Sequence, residues 1–384
     1  MKRQLSLFED QRLDLEGARA LSLASLREYG RKYSRWAIAY SGGKDSTATL
    51  LFVAWAIETG QIDPPETLTI LYGDTRMESP PLQRGAMDLL QTMTERGHTS
   101  IVVMPNMDNR FFVYMLGRGV PPPSNTFRWC TYHLKIEPME QELASLRAKT
   151  GKKLLMLTGV RLGESTVRDQ RIALSCSKTS GECGQGWFQA APPESVADTL
   201  APLMHWRLCH VYDWLYFDYQ MHNYDATTIA LIYGEDEVRT GCIACNLASR
   251  DVALERLIKQ PGYAHYAALL ELKTLYRDLK RPENRLRKSE PEMRQDGKYS
   301  KNAQRLGPLT FEARAYGLER VLDIQNRAGV DLINAEENSR IRQLWAANTW
   351  PNGWAGDEIT GDIAIDTVRV TPGNQLVTQA LLVR

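Results

Sequence analysis

Short apolar runs alternate with longer amphipathic stretches over residues 12–160 of the chain. Residues 12–33 (RLDLEGARALSLASLREYGRKY) carry apolar positions at helical spacing, with Gly30 as a stop signal. Four runs then read as strands: RWAIAY (35–40), TLTILY (67–72), TSIVVM (99–104) and KLLMLTG (153–159). Helical patterning falls between them, at roughly 47–58, 80–96 and 135–149. Strands joined by helices predict an α/β fold with a parallel twisted sheet covered by helices on both faces, and ligands at the carboxyl ends of the strands. Three polar stretches follow such ends: SGGKDS (41–46), GDTRME (73–78) and GVRLGESTVRDQR (159–171). Residues 172–200 are rich in Ser, Gly and Cys and read as an insertion over the site. Beyond about 250 the pattern becomes polar and mainly helical until DIAIDTVRV (362–370). The division this predicts is an N-terminal helical segment (1–34), a sheet domain with a Cys-rich insertion (35–250) and a mainly helical C-terminal region (251–384).

Composition adds little beyond exclusions. The chain has 384 residues, 43% of them hydrophobic, and a net charge of +1, as in an ordinary globular protein, so any nucleic-acid argument must rest on local patches. The basic start acquires acidic residues before any apolar run, and no uncharged stretch has the length of a membrane span, so the expected location is the cytoplasm, with no membrane partner. Six cysteines in such a chain point to metal ligation or redox chemistry rather than to structural disulfides.

The stretch AIAYSGGKDSTATLLF places a tight turn between a strand and a helix. It has neither the Walker spacing nor the dinucleotide G-x-G-x-x-G. Gly42 and Gly43 free the backbone for positive φ and close approach, and the first N–H groups of the helix form an anion site. Lys44 adds a charge, Ser41, Ser46 and Thr47 add hydroxyls, and Asp45 is a candidate ligand for Mg²⁺. The set suits a polyphosphate such as that of ATP.

On these residues the chain resembles the PP-loop ATP pyrophosphatase superfamily, which adenylates a substrate and releases pyrophosphate. GDT (73–75), RWCTYHLKIEP (128–138), GVRLGESTVR (159–168) and APLMHW…VYDWL (201–215) make it similar to the phosphoadenosine-phosphosulfate reductase-like branch over roughly residues 35–248. The resemblance implies an adenine nucleotide α-hydrolase-like fold. It implies Asp74 on ribose or metal, and Arg128, Arg161 and Arg168 on phosphates, with Glu164 orienting Arg161 or holding a metal. Sulfonucleotide reductases as a family usually lack the lysine-containing loop, so Lys44 favours ATP cleavage. By pattern the chain is closest to the sulfur-inserting enzymes of DNA phosphorothioation (DndC-like and SspD-like). That implies DNA as substrate, a cysteine desulfurase as sulfur donor and further subunits of a DNA-modification complex. A tRNA-base thiolase, a sulfonucleotide reductase and a non-catalytic DNA-binding subunit are the alternatives.

GCIAC (241–245) is a C-x-x-C that suits zinc, an iron–sulfur cluster or a redox dithiol, with Gly241 allowing a tight chelating turn. Cys176 and Cys183, in the insertion, complete a set of four with Cys242 and Cys245. The resemblance implies a [4Fe–4S] cluster on these four, with zinc as the alternative. Cys130 lies between Arg128 and His133, where positive charge is expected to favour the thiolate. It is read as a catalytic sulfur relay or as a replacement ligand for Cys176. Cys209 is read as a packed small hydrophobe.

Residues 273–305 hold eleven Lys or Arg against five Asp or Glu, with Tyr276 and Tyr299 interleaved. That composition fits either phosphate contacts to nucleic acid or a solvated helical face, and the DNA-modifying resemblance favours the former. Three tryptophans in 338–354 read as core closure rather than a base-stacking platform.

Overall fold

The computed structural model describes residues 13–177, 181–182, 184–234, 240–300 and 302–380. The chain packs as two units that are interleaved in sequence. The first comprises residues 1–74, 80–103 and 139–239, and the second 75–79, 104–138 and 240–384. A single boundary near 250 does not describe this division, because the second unit also takes in two central segments.

The first unit is built on a seven-stranded sheet: β1 (Arg35–Tyr40), β2 (Thr67–Gly73), β3 (Thr99–Val103), β4 (Leu154–Leu157), β5 (Gly181–Glu182), β6 (Trp187–Gln189) and β7 (Ala197–Ala201). The spatial order is β3-β2-β1-β4-β7-β6-β5. The pairs β1–β2, β2–β3, β1–β4 and β4–β7 are parallel, and β6 and β5 return antiparallel at one edge. All four predicted strands are present. The region read as an insertion instead supplies β5 to β7, which extend the sheet. β7 escapes a pattern reading because ADTLA is short and carries only three apolar residues.

Alternation along each strand sends side chains to both faces. Ala37, Leu71, Val103 and Leu154 pack with Leu143 of the helix Glu137–Thr150. The helix Lys44–Glu58 is apolar almost all round, and its Phe52 meets Trp206 and Trp214 edge-on at 5.4 and 5.7 Å. The N-terminal helix Leu15–Ser25 ends in a π-helical turn, Leu26–Gly30. A Cβ on Gly30 would lie 2.3 Å from the Trp36 ring, so only glycine lets that indole seat.

The order of the strands positions the site. From β1 the chain moves outward through β2 and β3, then returns to place β4 on the other side of β1. The strand order therefore reverses between β1 and β4, the place where open α/β sheets bind ligands beyond the carboxyl ends of their strands.

The second unit is mainly helical, with two small hairpins, β8 (Arg285–Arg287) with β9 (Leu306–Leu309) and β10 (Thr367–Val370) with β11 (Leu376–Gln379). The helix Phe311–Ala328 starts at a Thr310 cap and stops at left-handed Gly329. The helix Ala335–Ala346 starts with an Asn334/Glu337 capping box. Glu337 is buried and also pairs with Arg76 and Arg110 at 3.1 and 3.2 Å. The tryptophans of 338–354 close this unit: Trp345 donates to the Leu116 carbonyl, and Trp350 stacks on buried Arg314 at 3.7 Å. Among the described residues no helix is long and apolar enough to cross a membrane.

Candidate functional site

The glycine turn and the loop after β4 meet at the reversal between β1 and β4. Gly42 takes φ +74°, and a Cβ there would lie 3.0 Å from Ala86. Gly43, by contrast, is extended at φ −77° and caps the helix Lys44–Glu58 with no side-chain bond. Its backbone does not need glycine. The Ser46 hydroxyl donates to the Gly43 carbonyl (3.0 Å) and accepts from the Ser41 N–H (3.2 Å), so it knits the turn from inside. Thr47 is fully buried, which removes it from the expected ligand-facing hydroxyls.

Asp45 organises the charges. Its carboxylate accepts from Arg161 Nε at 2.6 Å and from Lys44 Nζ at 2.9 Å. Burial pushes the Asp45 carboxyl up, but the Arg161 guanidinium and the Lys44 ammonium together hold its pKa below the ordinary value. Arg161 is 4% exposed and is fixed from behind by a bond to the Trp206 carbonyl (3.1 Å). Trp206 is held in turn through its indole N–H to Ser22 at 2.9 Å. A Cβ on Gly159 would lie 2.9 Å from the Asp45–Ser46 backbone, so this glycine lets the β4 loop press flat against the turn. Each Asp45 oxygen is engaged by one cation.

The remaining predicted groups of this unit are more loosely arranged. Asp74 follows β2, donates its N–H to the Val103 carbonyl (2.9 Å) and accepts from Gln83 (3.1 Å). Glu164 accepts from the Arg161 backbone N–H and from the exposed side chain of Arg168, so it shapes the loop and does not touch the Arg161 guanidinium. Pattern reading missed Tyr233. Its ring lies 5.0 Å from Lys44 Nζ, and its hydroxyl is 3.4 Å from the Lys44 N–H. A tyrosine at the end of a short apolar helix carries no sequence signal of that role. Cys209 is exposed, contrary to its reading as a packed residue, because the short helix Leu208–Tyr212 buries His210, Val211 and Tyr212 instead.

The second unit brings Cys130, Cys242 and Cys245 into one electrostatic neighbourhood with Lys135 and Glu78. The C-x-x-C turn closes through Cys245 N–H to the Cys242 carbonyl (3.1 Å), and Ile243 N–H bonds the Met77 carbonyl (2.6 Å). Its left-handed residue is Ala244 (φ +47°), not Gly241, and the Ala244 N–H is held by Asp251 at 2.8 Å. Burial pushes the Cys242 thiol up to about 11, against the pull of Lys135, and burial also raises Cys130. Burial outweighs any pull of nearby cations at Cys130, so the expected favouring of its thiolate is not seen in the direction of its pKa, while His133 pairs with Glu137 and Arg128 bonds Asn125. Cys183 lies outside the described residues, as does the side chain of Cys176, so the expected set of four is described only at Cys242 and Cys245.

The basic stretch is largely committed within the second unit. Lys280 donates to the Pro123 carbonyl (2.9 Å), Arg285 to Gly307 (2.5 Å), and Arg287 to Gly361 and Ile363 (3.4 and 3.3 Å). Lys288 pairs with Glu358 and Arg281 with Asp278. Tyr276 is a core residue, not an exposed stacking ring.

A parallel sheet with a glycine turn and paired cations at its strand-order reversal defines an α/β nucleotide-binding domain of PP-loop type. Residues 35–247 match the phosphoadenosine phosphosulfate reductase domain, and the chain belongs to that family. Among solved structures it is similar to a phosphoadenylyl-sulfate (PAPS) reductase from Candida auris in a phosphate complex. There the identity is 13%, the TM-score 0.34, and the match covers 56% of this chain and 91% of that one. It is also similar to an FMN adenylyltransferase from Candida glabrata in complex with FMN and the ATP analog AMPCPP. There the identity is 13%, the TM-score 0.32, and the coverage 52% and 56%. No curated protein matches.

Proposed function

We propose that this protein cleaves ATP between its α- and β-phosphates to adenylate a phosphate oxygen of the DNA backbone, that the terminal sulfur of a persulfide then attacks phosphorus and expels AMP, and that a thiol reductant cleaves the resulting S–S bond to leave a phosphorothioate. The observation that carries the nucleotide half is the Lys44–Asp45–Arg161 constellation at the helix N-terminus. Two cations held on one carboxylate are positioned to transfer to the pyrophosphate leaving group, where they stabilise developing charge. A non-bridging oxygen is a very poor leaving group until AMP is attached to it, which gives the adenylation its purpose. The choice of DNA, of a cysteine desulfurase as sulfur source and of partner subunits rests on the resemblance of the motifs. The basic stretch adds little to it.

The thiols of the second unit fit a sulfur-handling centre. Three soft donors share a partly desolvated neighbourhood with the cation Lys135, and the buried Tyr276 hydroxyl beside them has no hydrogen-bond partner among the described residues. No three His, Cys, Asp or Glu side chains among the described residues come close enough to hold one metal ion. The resemblance of the motifs extends to a [4Fe–4S] cluster, with zinc as the alternative; Cys242 and Cys245 would be among its ligands and Cys130 is the further thiol in their neighbourhood. Such a cluster would supply redox-active iron and sulfide at this point.

The test is pyrophosphate and AMP release from ATP with DNA present, followed by mass spectrometry of the nuclease-digested DNA. Lys44→Ala should lower pyrophosphate release by about 100-fold or more while the fold survives. Sulfite release from a sulfonucleotide without ATP would replace this reading with reductase chemistry, and a thiolated tRNA base would replace the acceptor.

A further inference from the structure

We infer that the outer stripe of the helix Thr166–Ser177 is the surface on which DNA lies, with Arg171 on a backbone phosphate and Val167 and Leu174 against deoxyribose. The inference rests on the DNA reading above. Val167, Gln170, Arg171 and Leu174 are all exposed and stand at i, i+3, i+4 and i+7, which puts them on one face of the helix. Its two apolar members are 61% and 56% exposed, and Leu162, in the loop before the helix, is 40% exposed. The helix is anchored along its other side, where Ile172 is buried and Ser175 accepts from the Trp187 indole N–H at 2.7 Å. Apolar side chains gathered on one outward stripe of an anchored helix mark a contact surface rather than scattered exposure.

The charges of the segment decide what fits this stripe. Both of its acids serve the backbone of the loop: Glu164 accepts from the Arg161 N–H, and Asp169 accepts from the Gly163 N–H at 3.2 Å. Arg168 is paired with Glu164, whereas Arg171 meets no acid among the described residues. The stripe thus presents a cation and no carboxylate between apolar neighbours, which complements a phosphate backbone with its less polar sugars. Arg171 differs in this from Arg285 and Arg287 of the second unit, which are already taken up by carbonyls. The helix also continues the loop that brings Arg161 to Asp45, so nucleotides flanking a phosphate at that site have this face as an adjacent support.

The test follows a fluorescently labelled DNA duplex by anisotropy over a series of salt concentrations, with the full-length protein. Arg171→Ala should weaken binding about fivefold at low salt and lower the slope of log affinity against log salt by about one, since one phosphate contact is lost. Arg171→Lys should keep the wild-type slope. Val167→Ser should weaken binding about two- to threefold and leave the slope alone, because it removes apolar contact without charge. Both positions are exposed, so the fold should survive each change. Wild type that binds the duplex, with Arg171→Ala equal to it in affinity and slope, would overturn this surface and leave the DNA reading standing. Wild type that binds tRNA and not DNA, or binds neither, would overturn the DNA reading and this inference with it. A wild type that is dimeric in light scattering and split by Val167→Asp would assign the stripe to a second copy of the chain and overturn the inference.

Discussion

Two groups of cations in this chain have the same composition and opposite circumstances. Lys44 and Arg161 of the first unit are buried against a single carboxylate at a helix N-terminus beside a strand-order reversal, with Arg161 also bonded to the Trp206 carbonyl. Lys280, Arg285, Arg287 and Lys288 of the second unit are as densely packed in sequence, yet each donates to a backbone carbonyl of its own unit. A carboxylate that holds two cations can exchange them to an incoming polyphosphate. A carbonyl closing a hairpin cannot give up its donor without loss of structure. Charge density along a sequence therefore measures availability poorly. What decides it is the acceptor each cation already has.

The comparison predicts its largest effect at Arg161. Arg161→Ala should reduce pyrophosphate release by about 100- to 1000-fold, as expected when one charge-stabilising donor is removed. Arg161→Lys should recover little, because an ammonium cannot reach Asp45 and the Trp206 carbonyl together. The depressed Asp45 pKa gives the sign of the pH dependence: the pairing is complete above the ordinary carboxylate range and is lost only as pH falls below it. Activity that survives Arg161→Ala within a few-fold would place the chemistry elsewhere.

The second region should respond in stability. Arg285 is held by the Gly307 carbonyl, and burial lowers its pKa to about 10. Arg285→Ala should cost about 1–3 kcal/mol, read as a lower melting temperature, because it strands that carbonyl. Arg294→Ala, at an exposed pair with Asp296, should stay within about 0.5 kcal/mol. The opposite result, an unchanged melting temperature and a DNA-affinity salt slope reduced by about one for Arg285→Ala, would restore this stretch as a phosphate-binding surface.

The contrast also explains what the sequence could disclose. The sheet core and the glycine turn were legible because strand burial and a strand–turn–helix junction leave local marks: RWAIAY, TLTILY and SGGKDS need no distant partner to be recognised. Arg161 was legible too, since it follows a strand end. Its fixing by Trp206 was not, nor was the meeting of Cys130 with the C-x-x-C, because these depend on segments far apart in the chain. The basic stretch misled for the same reason. Its carbonyl partners at Pro123, Gly307 and Gly361 carry no side-chain chemistry for a sequence to show.

The smallest effect should appear at Tyr233, which covers Lys44. Its ring is at cation–π distance from the ammonium, while its hydroxyl is 3.4 Å from the Lys44 N–H, too long for a strong bond. Tyr233→Phe keeps the ring and loses that contact, so the KM for ATP should change by less than about threefold with kcat unaltered. Tyr233→Leu removes the ring and should raise KM further, by about fivefold, the equivalent of about 1 kcal/mol at a partly desolvated site. The hydroxyl also sets a limit on Gly43. A Cβ there would lie 3.1 Å from the Tyr233 oxygen, although the φ of −77° suits any residue. Gly43→Ala should therefore be tighter in the wild type than in Tyr233→Phe, and a double-mutant cycle on ATP affinity should return a favourable coupling of about 0.5–1 kcal/mol. Additive effects would mean that Gly43 is retained for the approach of a ligand rather than for Tyr233, and would move the tight contact from the protein to the nucleotide.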